Sequence, residues 1–366
     1  MITNNLVERF RTSLLEKFRS TPLETNTYTD LRQFAEFSPG NVAAGKVSVK
    51  AEGARVLALE DAVGSNRDFF ESFFNKLLRA PAQKMILLAA AIPGAIVVEI
   101  PEGAEARLEL SFEQRDSAAA NCFSVIVLAA KGSRSKIFEK NNSTGVSFAS
   151  TECVVSPRAS TEFFSLSAGP LGSRTISRKR FFVGEAASAM GFSGVFSPSF
   201  AKTSTEMVLD GLAAEASDFQ AVFPSGSQHF DASSIVRHAA PETRARLLSR
   251  ACAKDGGRAV LWGDIVIDRG AKLSDSFLSQ GALLLNSGAR ADAMPMLEIE
   301  ESDVRATHSS SVSHLDENAL FYLGSRGIAH PEAKKLLASC FLESALEKTS
   351  LHEASGKAFE QISSKW

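Results

Sequence analysis

Side chains that could bind a metal ion are few in this sequence and lie far apart. Three of the 6 histidines lie within 23 positions, at His308, His314 and His330. His308 and His314 are 6 positions apart, so an extended strand would carry both on one face but too far from each other to chelate one ion. A structural role and a ligand role for His308 therefore both stay open at this point.

The cysteines give no stronger metal signal. The 4 cysteines form no CxxC pair; they are Cys122, Cys153, Cys252 and Cys340. Their spacing is typical neither of a disulfide framework nor of a zinc module, and we expect the thiols to be mostly reduced. Cys340 falls on the apolar stripe of a predicted helix, which indicates a small core residue rather than a reactive thiol.

Standard catalytic motifs are missing from the sequence. There is no GxxxxGK[ST] string, so the chain has no P-loop of its own. There is also no HExxH zinc motif and no GxSxG nucleophile elbow. No common active site is therefore indicated by a motif alone.

The charge balance argues against a general nucleic-acid or membrane-surface binder. Lys and Arg number 40 against 42 Asp and Glu, a formal net charge of −2, whereas such binders normally show a basic excess. Two basic stretches lack interleaved aromatic residues; they are Arg174, Arg178, Lys179 and Arg180, and then Arg237, Arg244, Arg246 and Arg250. We expect solvated faces or partner-binding edges there rather than nucleic-acid sites.

Phe is the dominant aromatic residue, with 26 Phe against 2 Tyr and 2 Trp. Because Phe has no polar handle, this excess indicates a core rather than a surface that stacks sugars or bases. The N-terminus has no signal-peptide core, and the longest apolar run, residues 85–98, is too short to span a bilayer and is broken by Pro93 and Gly94. We therefore expect a cytoplasmic protein without a membrane segment.

The spacing of apolar residues divides the sequence into three regions, and the elements of these regions must position the side chains of any functional site. Residues 1–92 are predicted to be mainly helical, with Leu6, Phe10, Leu14 and Phe18 on one face of a first helix and a Phe-rich helix over residues 65–80. Residues 93–313 show a period of two, in short strands separated by a recurring small turn signature, for example at Gly103, Gly132 and Arg158. The loose repeat favours a β-solenoid, with a β-sandwich as the competing fold.

Residues 314–366 are predicted to be helical again, with Phe321 expected to pack in the core and the role of Tyr322 left open. Pro331 occupies a natural N1 position with Glu332 in the first turn. An apolar stripe then follows and is expected to be buried; its members are Ala333, Leu336, Leu337, Cys340, Phe341 and Leu346.

Residues 295–328 carry a long family signature, PMLEIEESDVRATHSSSVSHLDENALFYLGSRGI. This string closely resembles the SufB/SufD family of iron–sulfur cluster assembly scaffolds. Upstream positions extend the resemblance; they include Gln228, His229, Asp231, Val236, Arg237 and His238, with a weaker match at Tyr28, Thr29, Asp30 and Leu31. The strong similarity covers about residues 225–345.

The resemblance implies a fold and partners. It implies a mainly β protein, with a right-handed parallel β-helix core flanked by N- and C-terminal helical segments. It also implies a heterodimer with a SufB-like paralog, with a homodimer left open, and a SufC-like ABC-type ATPase docked on the C-terminal helical region. This chain would then be a non-catalytic scaffold, since ATP hydrolysis would belong to that partner. Flavin binding by the full complex is left open.

The resemblance to the SufD branch rests on three positions. SufB-type chains carry an essential Cys where Ala289 stands here, and they follow the strand His with Glu, where this chain has Ser309. SufD-type chains contribute a His, which His308 matches, although Ala306 replaces the Cys that frequently precedes it by two positions. His308 is thus the implied ligand for iron or a transient iron–sulfur cluster shared with the partner.

The sequence also predicts the surroundings of His308. A period of two places Ala306, His308 and Ser310 on one strand face. The acidic residues just upstream are expected to form a solvated turn, with iron attraction as the lesser alternative; they are Glu298, Glu300, Glu301 and Asp303. Two rival functions stay open: a β-helix enzyme acting on polysaccharide, which the scarcity of Tyr and Trp disfavours, and a metal-free homo-oligomeric scaffold.

Overall fold

The computed structural model describes residues 2–24, 26–80, 83–114, 119–346 and 352–366. The core is a parallel β-solenoid of about seven turns, so the predicted mainly β fold with helical ends is confirmed. From Ile96 onward the chain alternates between two facing sheets, and each strand pairs in parallel with the strand two further along the chain.

Sheet I has ten strands and sheet II has nine. Sheet I contains β1 (Val42–Ala44), β3 (Arg55–Ala58), β4 (Ile96–Ile100), β6 (Ala120–Ala129), β8 (Val146–Val155), β10 (Arg174–Val183), β12 (Phe200–Leu209), β14 (His229–His238), β16 (Arg258–Ile267) and β18 (Arg290–Ile299). Sheet II contains β2 (Lys46–Glu52), β5 (Glu105–Glu113), β7 (Arg134–Asn141), β9 (Ser160–Ser167), β11 (Ser188–Val195), β13 (Glu215–Val222), β15 (Arg244–Ala253), β17 (Asp275–Leu284) and β19 (Arg305–His314).

Helices cover the outer faces of the two sheets. On the N-terminal side they are α1 (Ile2–Ser20), α2 (Leu59–Ser65), α3 (Arg67–Arg79) and α4 (Lys84–Ala91). On the C-terminal side they are α5 (Glu317–Ser325), α6 (His330–Leu346) and α7 (His352–Ser363). Strands β1 to β3 lie within the region predicted to be mainly helical, and they join the two sheets instead of forming a separate unit.

The residues of the recurring turn signature form similar turns that stack on one another. At seven connections from sheet I to sheet II the residue at the equivalent position of the turn has a positive φ; these residues are Gly103, Gly132, Arg158, Ala186, Ala213, Glu242 and Leu273. The N–H of that residue donates to a turn carbonyl of the next coil, as from Gly132 to Pro157 (3.1 Å) and from Arg158 to Glu185 (2.9 Å). Gly suits this left-handed backbone best, and the other side chains are tolerated there because the coils on both sides fix the turn.

The Phe residues fill three cores, as the composition predicts. The solenoid interior contains Phe112 stacked on Phe123, with ring centroids 4.8 Å apart. Between the N-terminal helices and sheet I, Phe10 stacks on Phe74 at 3.9 Å. Between sheet II and the C-terminal helices, Phe164 stacks on Phe192 at 4.4 Å. Both faces of each sheet are therefore buried over most of its length.

The predicted stripe of α6 is partly wrong. Leu336 is 43% exposed and Cys340 is exposed, so Cys340 is not a core residue. The buried side chains of α6 are instead Ala333, Ala338, Leu342, Ala345 and Leu346. Leu336 and Cys340 are one helical turn apart on the side of α6 that faces away from strands β13 and β15, which α6 contacts.

The first basic stretch is also not the solvated face that the sequence suggested. Arg178, Lys179 and Arg180 are buried. Arg178 donates to Glu152 (3.0 Å) and Arg180 to Glu206 (2.6 Å), beneath the N-terminal helical layer. A third pair in this layer, Lys202 with Asp231, joins registered positions of β12 and β14 at 2.9 Å.

We predict that Asp231→Asn lowers the free energy of unfolding by about 3–5 kcal/mol, because the buried Lys202 ammonium loses its counter-ion. Guanidinium titration at neutral pH measures this loss. The matched control is Glu215→Gln, which breaks the registered but solvent-exposed pair with Arg244 and should cost less than about 1 kcal/mol. Equal small losses in both variants would contradict the prediction.

Candidate functional site: the uncapped end of the solenoid

The two ends of the solenoid are built differently. At the N-terminal end, β2 pairs antiparallel with β5 and β3 pairs antiparallel with β4, so returning strands cover the first coils. At the other end, β18 and β19 are the last strands of their sheets, and each pairs on one side only. Their outer edges have no neighbouring strand among the described residues, which leaves backbone N–H and C=O groups open for pairing.

His308 lies on β19 at the end of an inward-facing column. The register aligns one residue from every strand of sheet II from β5 onward: Leu108, Ile137, Phe163, Gly191, Asp218, Leu247, Leu278 and His308. Leu247 and Leu278 are buried in the solenoid interior. His308 has their orientation but is exposed, because no further coil covers it. The imidazole therefore faces any molecule that docks on this end.

The mouth of the solenoid around His308 is apolar. Ala306 is partly buried against the interior core, and Leu297 of β18 packs against the same core from the opposite sheet. Ile299 and Val312 continue buried columns, yet they are 43% and 45% exposed. We call this surface, formed by β18 and β19, the open end. A hydrophobic core that stops at an exposed surface is typical of an interaction site.

This chain alone does not gather a set of metal ligands at the open end. His314 stands at the last position of β19 and His330 at the start of α6, and both are exposed. In the part of the chain that the structure describes, no group of three or more His, Cys, Asp or Glu side chains could hold a metal ion. Among the described residues, His308 therefore offers a single nitrogen ligand at the mouth of the solenoid.

The acidic turn upstream of His308 has a structural use. Glu301 accepts the backbone N–H of Gly270 at 3.1 Å and that of Ser302 at 2.9 Å. These donors, with that of Asp303, lower the pKa of the Glu301 carboxyl. Glu301 thus ties the last turn to the preceding one. Glu300 and Asp303 are exposed, as expected of a solvated turn, whereas Glu298 is exposed on strand β18.

A polar ladder inside the solenoid was not found by sequence analysis. Phe219 and Ala221 of β13 face the C-terminal helices, so their alternating neighbours Asp218 and Gln220 face the solenoid interior instead of water. Gln220 donates to Asp218 (3.1 Å) and accepts from Ser249 (3.1 Å), and the same column continues through buried Gln280 to Ser310 at the open end. The only sequence signal was a polar residue alternating with Phe, which a half-exposed strand would show equally.

Exposed apolar side chains also mark the C-terminal helices. On α5, Phe321 is 79% and Tyr322 57% exposed, so the expectation that Phe321 is a core residue is wrong. Leu336 and Cys340 add to this surface on α6. We call these four residues the C-terminal helix patch. Its side chains face outward because Leu320, Ala333 and Leu342 already fill the core below.

The fold and the open end define the class of protein: a β-solenoid with one end covered by returning strands and, among the described residues, one end left uncapped. Residues 96–341 match the family model described as SUF system FeS cluster assembly, SufBD core domain. This match covers more than half of the chain, which therefore belongs to the SufBD family.

Curated relatives carry the same family name. An iron–sulfur cluster assembly SufBD family protein of Staphylococcus epidermidis is 24% identical over 292 residues, which are 78% of this chain and 63% of the relative. One of Mycobacterium tuberculosis is 36% identical over 121 residues, 33% of this chain and 14% of the relative. The chain thus spans less than two thirds of the length of these relatives. None of the helices that the structure describes is long and apolar enough to cross a membrane.

We predict a pH-dependent stability from Asp218. Burial raises the pKa of its carboxyl from 3.8 to about 7. The fold then holds a proton that the unfolded chain releases, so stability falls as the pH rises from about 4 to 7, by at most about 4 kcal/mol. Asp218→Asn should remove this fall. Denaturant titrations at several pH values measure it, with Glu215→Gln as the exposed control, and parallel profiles of Asp218→Asn and wild type would refute it.

Proposed function

We propose that the chain is a SufD-type scaffold subunit of an iron–sulfur cluster assembly complex. The observation that carries this proposal is the open end, where His308 closes an inward-facing column without a coil above it. The subunit has no catalytic role of its own. It holds a partner at the open end and presents one imidazole to the cluster or iron, which is the cargo of the complex.

The open end supports pairing with another β-solenoid. The unpaired edges of β18 and β19 can add strands of a second chain, and the apolar mouth formed by residues such as Ile299 and Val312 would be buried by its first coil. We propose a SufB-like paralog as this second chain. A homodimer would use the same surface in a two-fold arrangement, so the composition of the complex must be measured rather than assumed.

Three positions favour a SufD-type role over a SufB-type role. Ala289 stands at the SufB cysteine position, Ser309 follows the strand His, and His308 matches the SufD His. Ala306 departs from the SufD pattern: it contributes only a methyl group, which packs against the interior core. The chain thus has a nitrogen ligand and no thiolate at the open end, and the proposed partner supplies the thiolates.

We expect His308→Ala to reduce the cluster bound per complex by at least about tenfold when the chain is produced with both proposed partners. The residue is exposed, so the complex should still form with the same mass. Iron and sulfide assays and the visible absorption of the purified complex measure the cluster, and light scattering measures the assembly.

The matched control is His314→Ala, an exposed histidine at the end of the same strand, which should leave the cluster content unchanged. Normal cluster content in His308→Ala complexes of correct mass would overturn the ligand role. An intact complex that never holds a cluster, even in the wild type, would favour the metal-free scaffold instead.

The C-terminal helix patch supports docking of an ABC-type ATPase. Aromatic side chains exposed to water are common anchors of protein interfaces, and Phe321 and Tyr322 lie side by side in sequence on α5. The guanidinium of Arg326 lies over the Tyr322 ring at 5.3 Å and holds that ring in place. A partner that covers both rings would therefore meet a partly preorganised surface.

We predict that replacing Phe321 and Tyr322 together by Ser raises the dissociation constant for a SufC-type ATPase by about 30-fold or more, as loss of hot-spot contacts does. Calorimetric titration of the ATPase into the full chain measures this change. Leu171→Ser is the matched control, because Leu171 is 75% exposed in a turn outside the patch. If the wild type binds the ATPase and the double variant binds it with the same affinity, this docking surface is excluded.

A further inference from the structure

A cleft of about 370 Å³ lies beneath the segment from Asn26 to Leu31. Asn26 fixes the segment as a turn, since its Oδ1 accepts the N–H groups of Tyr28 (2.8 Å) and Thr29 (2.7 Å). Thr29 Oγ1 lies 3.2 Å from His229 Nε2, which anchors the turn to sheet I. The segment that resembles the family only weakly thus forms a roof over the beginnings of the sheet I strands.

The floor of the cleft is a column of first residues from successive strands. The register aligns Arg174, Phe200, His229, Arg258 and Arg290 at the starts of β10, β12, β14, β16 and β18. At about 4.8 Å per strand, Arg174 and Arg258 are roughly 14 Å apart at their Cα atoms. Both line the cleft, and Phe200 and His229 separate them with stacked rings 5.5 Å apart.

The arginines of the cleft have spare hydrogen-bond donors. The Arg174 guanidinium lies over the ring of Phe34 at 5.4 Å and has no acidic partner among the described residues. Among the described residues, Arg258 reaches Thr27 O (3.4 Å) and Asp292 Oδ2 (3.5 Å), and its buried Nε finds no acceptor. Asp292 is bound more closely by Arg290, at 3.1 Å through each of two nitrogens.

The acids near the cleft do not neutralise it. Asp30, which also lines the cleft, is paired outward with Arg32 through bonds of 2.6 to 3.0 Å. Asp292 is shared between Arg290 and Arg258. The cleft therefore keeps an excess of positive charge over a confined space, and a buried donor without an acceptor is a cost that a bound anion would remove.

We propose that this cleft binds a phosphorylated small molecule of mononucleotide size, with its phosphate between Arg174 and Arg258. Arg is suited to this task because its planar fork donates two hydrogen bonds to phosphate oxygens. His229 stands midway along the floor and can donate a third hydrogen bond. The ring of Tyr28, in the roof, offers a face to the remainder of the ligand. The site does not depend on the open end or on the cluster role.

Calorimetric titration of AMP into the full chain at low salt tests the proposal. Wild type should bind AMP, and adenosine, which lacks the phosphate, should bind at least about tenfold more weakly. Inorganic phosphate should displace AMP. If inorganic phosphate binds as tightly as AMP, the site is a phosphate site whose ligand needs no base. Absence of binding by both AMP and phosphate would overturn the proposal.

Variants separate this cleft from other basic surfaces. The Arg174 side chain makes no hydrogen bond to the roof, and a Met side chain would keep the packing on Phe34. Arg174→Met should therefore fold normally and raise the dissociation constant for AMP about tenfold or more. Arg174→Lys should recover part of the loss. Arg258→Ala should have an effect at least as large, with thermal melting as a check of the roof. The control Arg79→Met removes an equal charge from an exposed site on α3; equal weakening by Arg79→Met and Arg174→Met would refute the cleft as the site.

Discussion

In-register stacking of coils is the interaction on which the rest of this structure depends. From β4 onward each strand pairs with the strand one coil away without a shift, so the neighbours of a residue along its column are its counterparts in the coils above and below. The interior core, the stacked turns and the polar ladder are all columns produced by this rule. The rule also has one unavoidable consequence, since the last coil has no coil above it. A column that ends there exposes whatever side chain it carries, and in this chain that side chain is His308.

Covering both faces of each sheet changes what polar side chains do. In an ordinary antiparallel sheet, a charged residue that alternates with Phe points to water. Here the outer faces lie under helices, so Arg178 and Arg180 must find Glu152 and Glu206, while Lys179 points inward to Ser165 and Thr203 at 3.3 and 3.4 Å. A shift of one residue would move these charges into the apolar columns and the Phe residues into the polar ones. The buried polar groups therefore favour one register, which a repetitive, largely apolar solenoid would define less sharply.

This double burial explains which parts of the fold the sequence could predict. The period of two, the turn signature and the Phe excess are local properties, and they predicted the solenoid and its cores. Whether Arg178, Cys340 and Phe321 are buried or exposed depends on which face of their strand or helix is covered by another layer. No local sequence pattern carries that information. The strand that bears His308 and its family signature could be read directly. The open end could not be predicted from the sequence, because the absence of a covering coil is a property of the stack and not of residues 305–314.

His238 and His308 show what a covering coil does to an inward-facing imidazole. His238 ends β14 within the stack, where it is buried, its Nδ1 lies 2.7 Å from Thr243 Oγ1, and burial lowers its pKa to about 4. Removal from water favours the neutral ring, which is also the form that binds metals. His308 has the same inward orientation and lacks only the next coil. A partner that supplies this coil would shield the imidazole from water and complete the enclosure of whatever it binds. In the function that we propose, assembly with a partner would therefore control the chemistry of the open end, and a chain whose described residues gather no ligand set could take part in building a cluster.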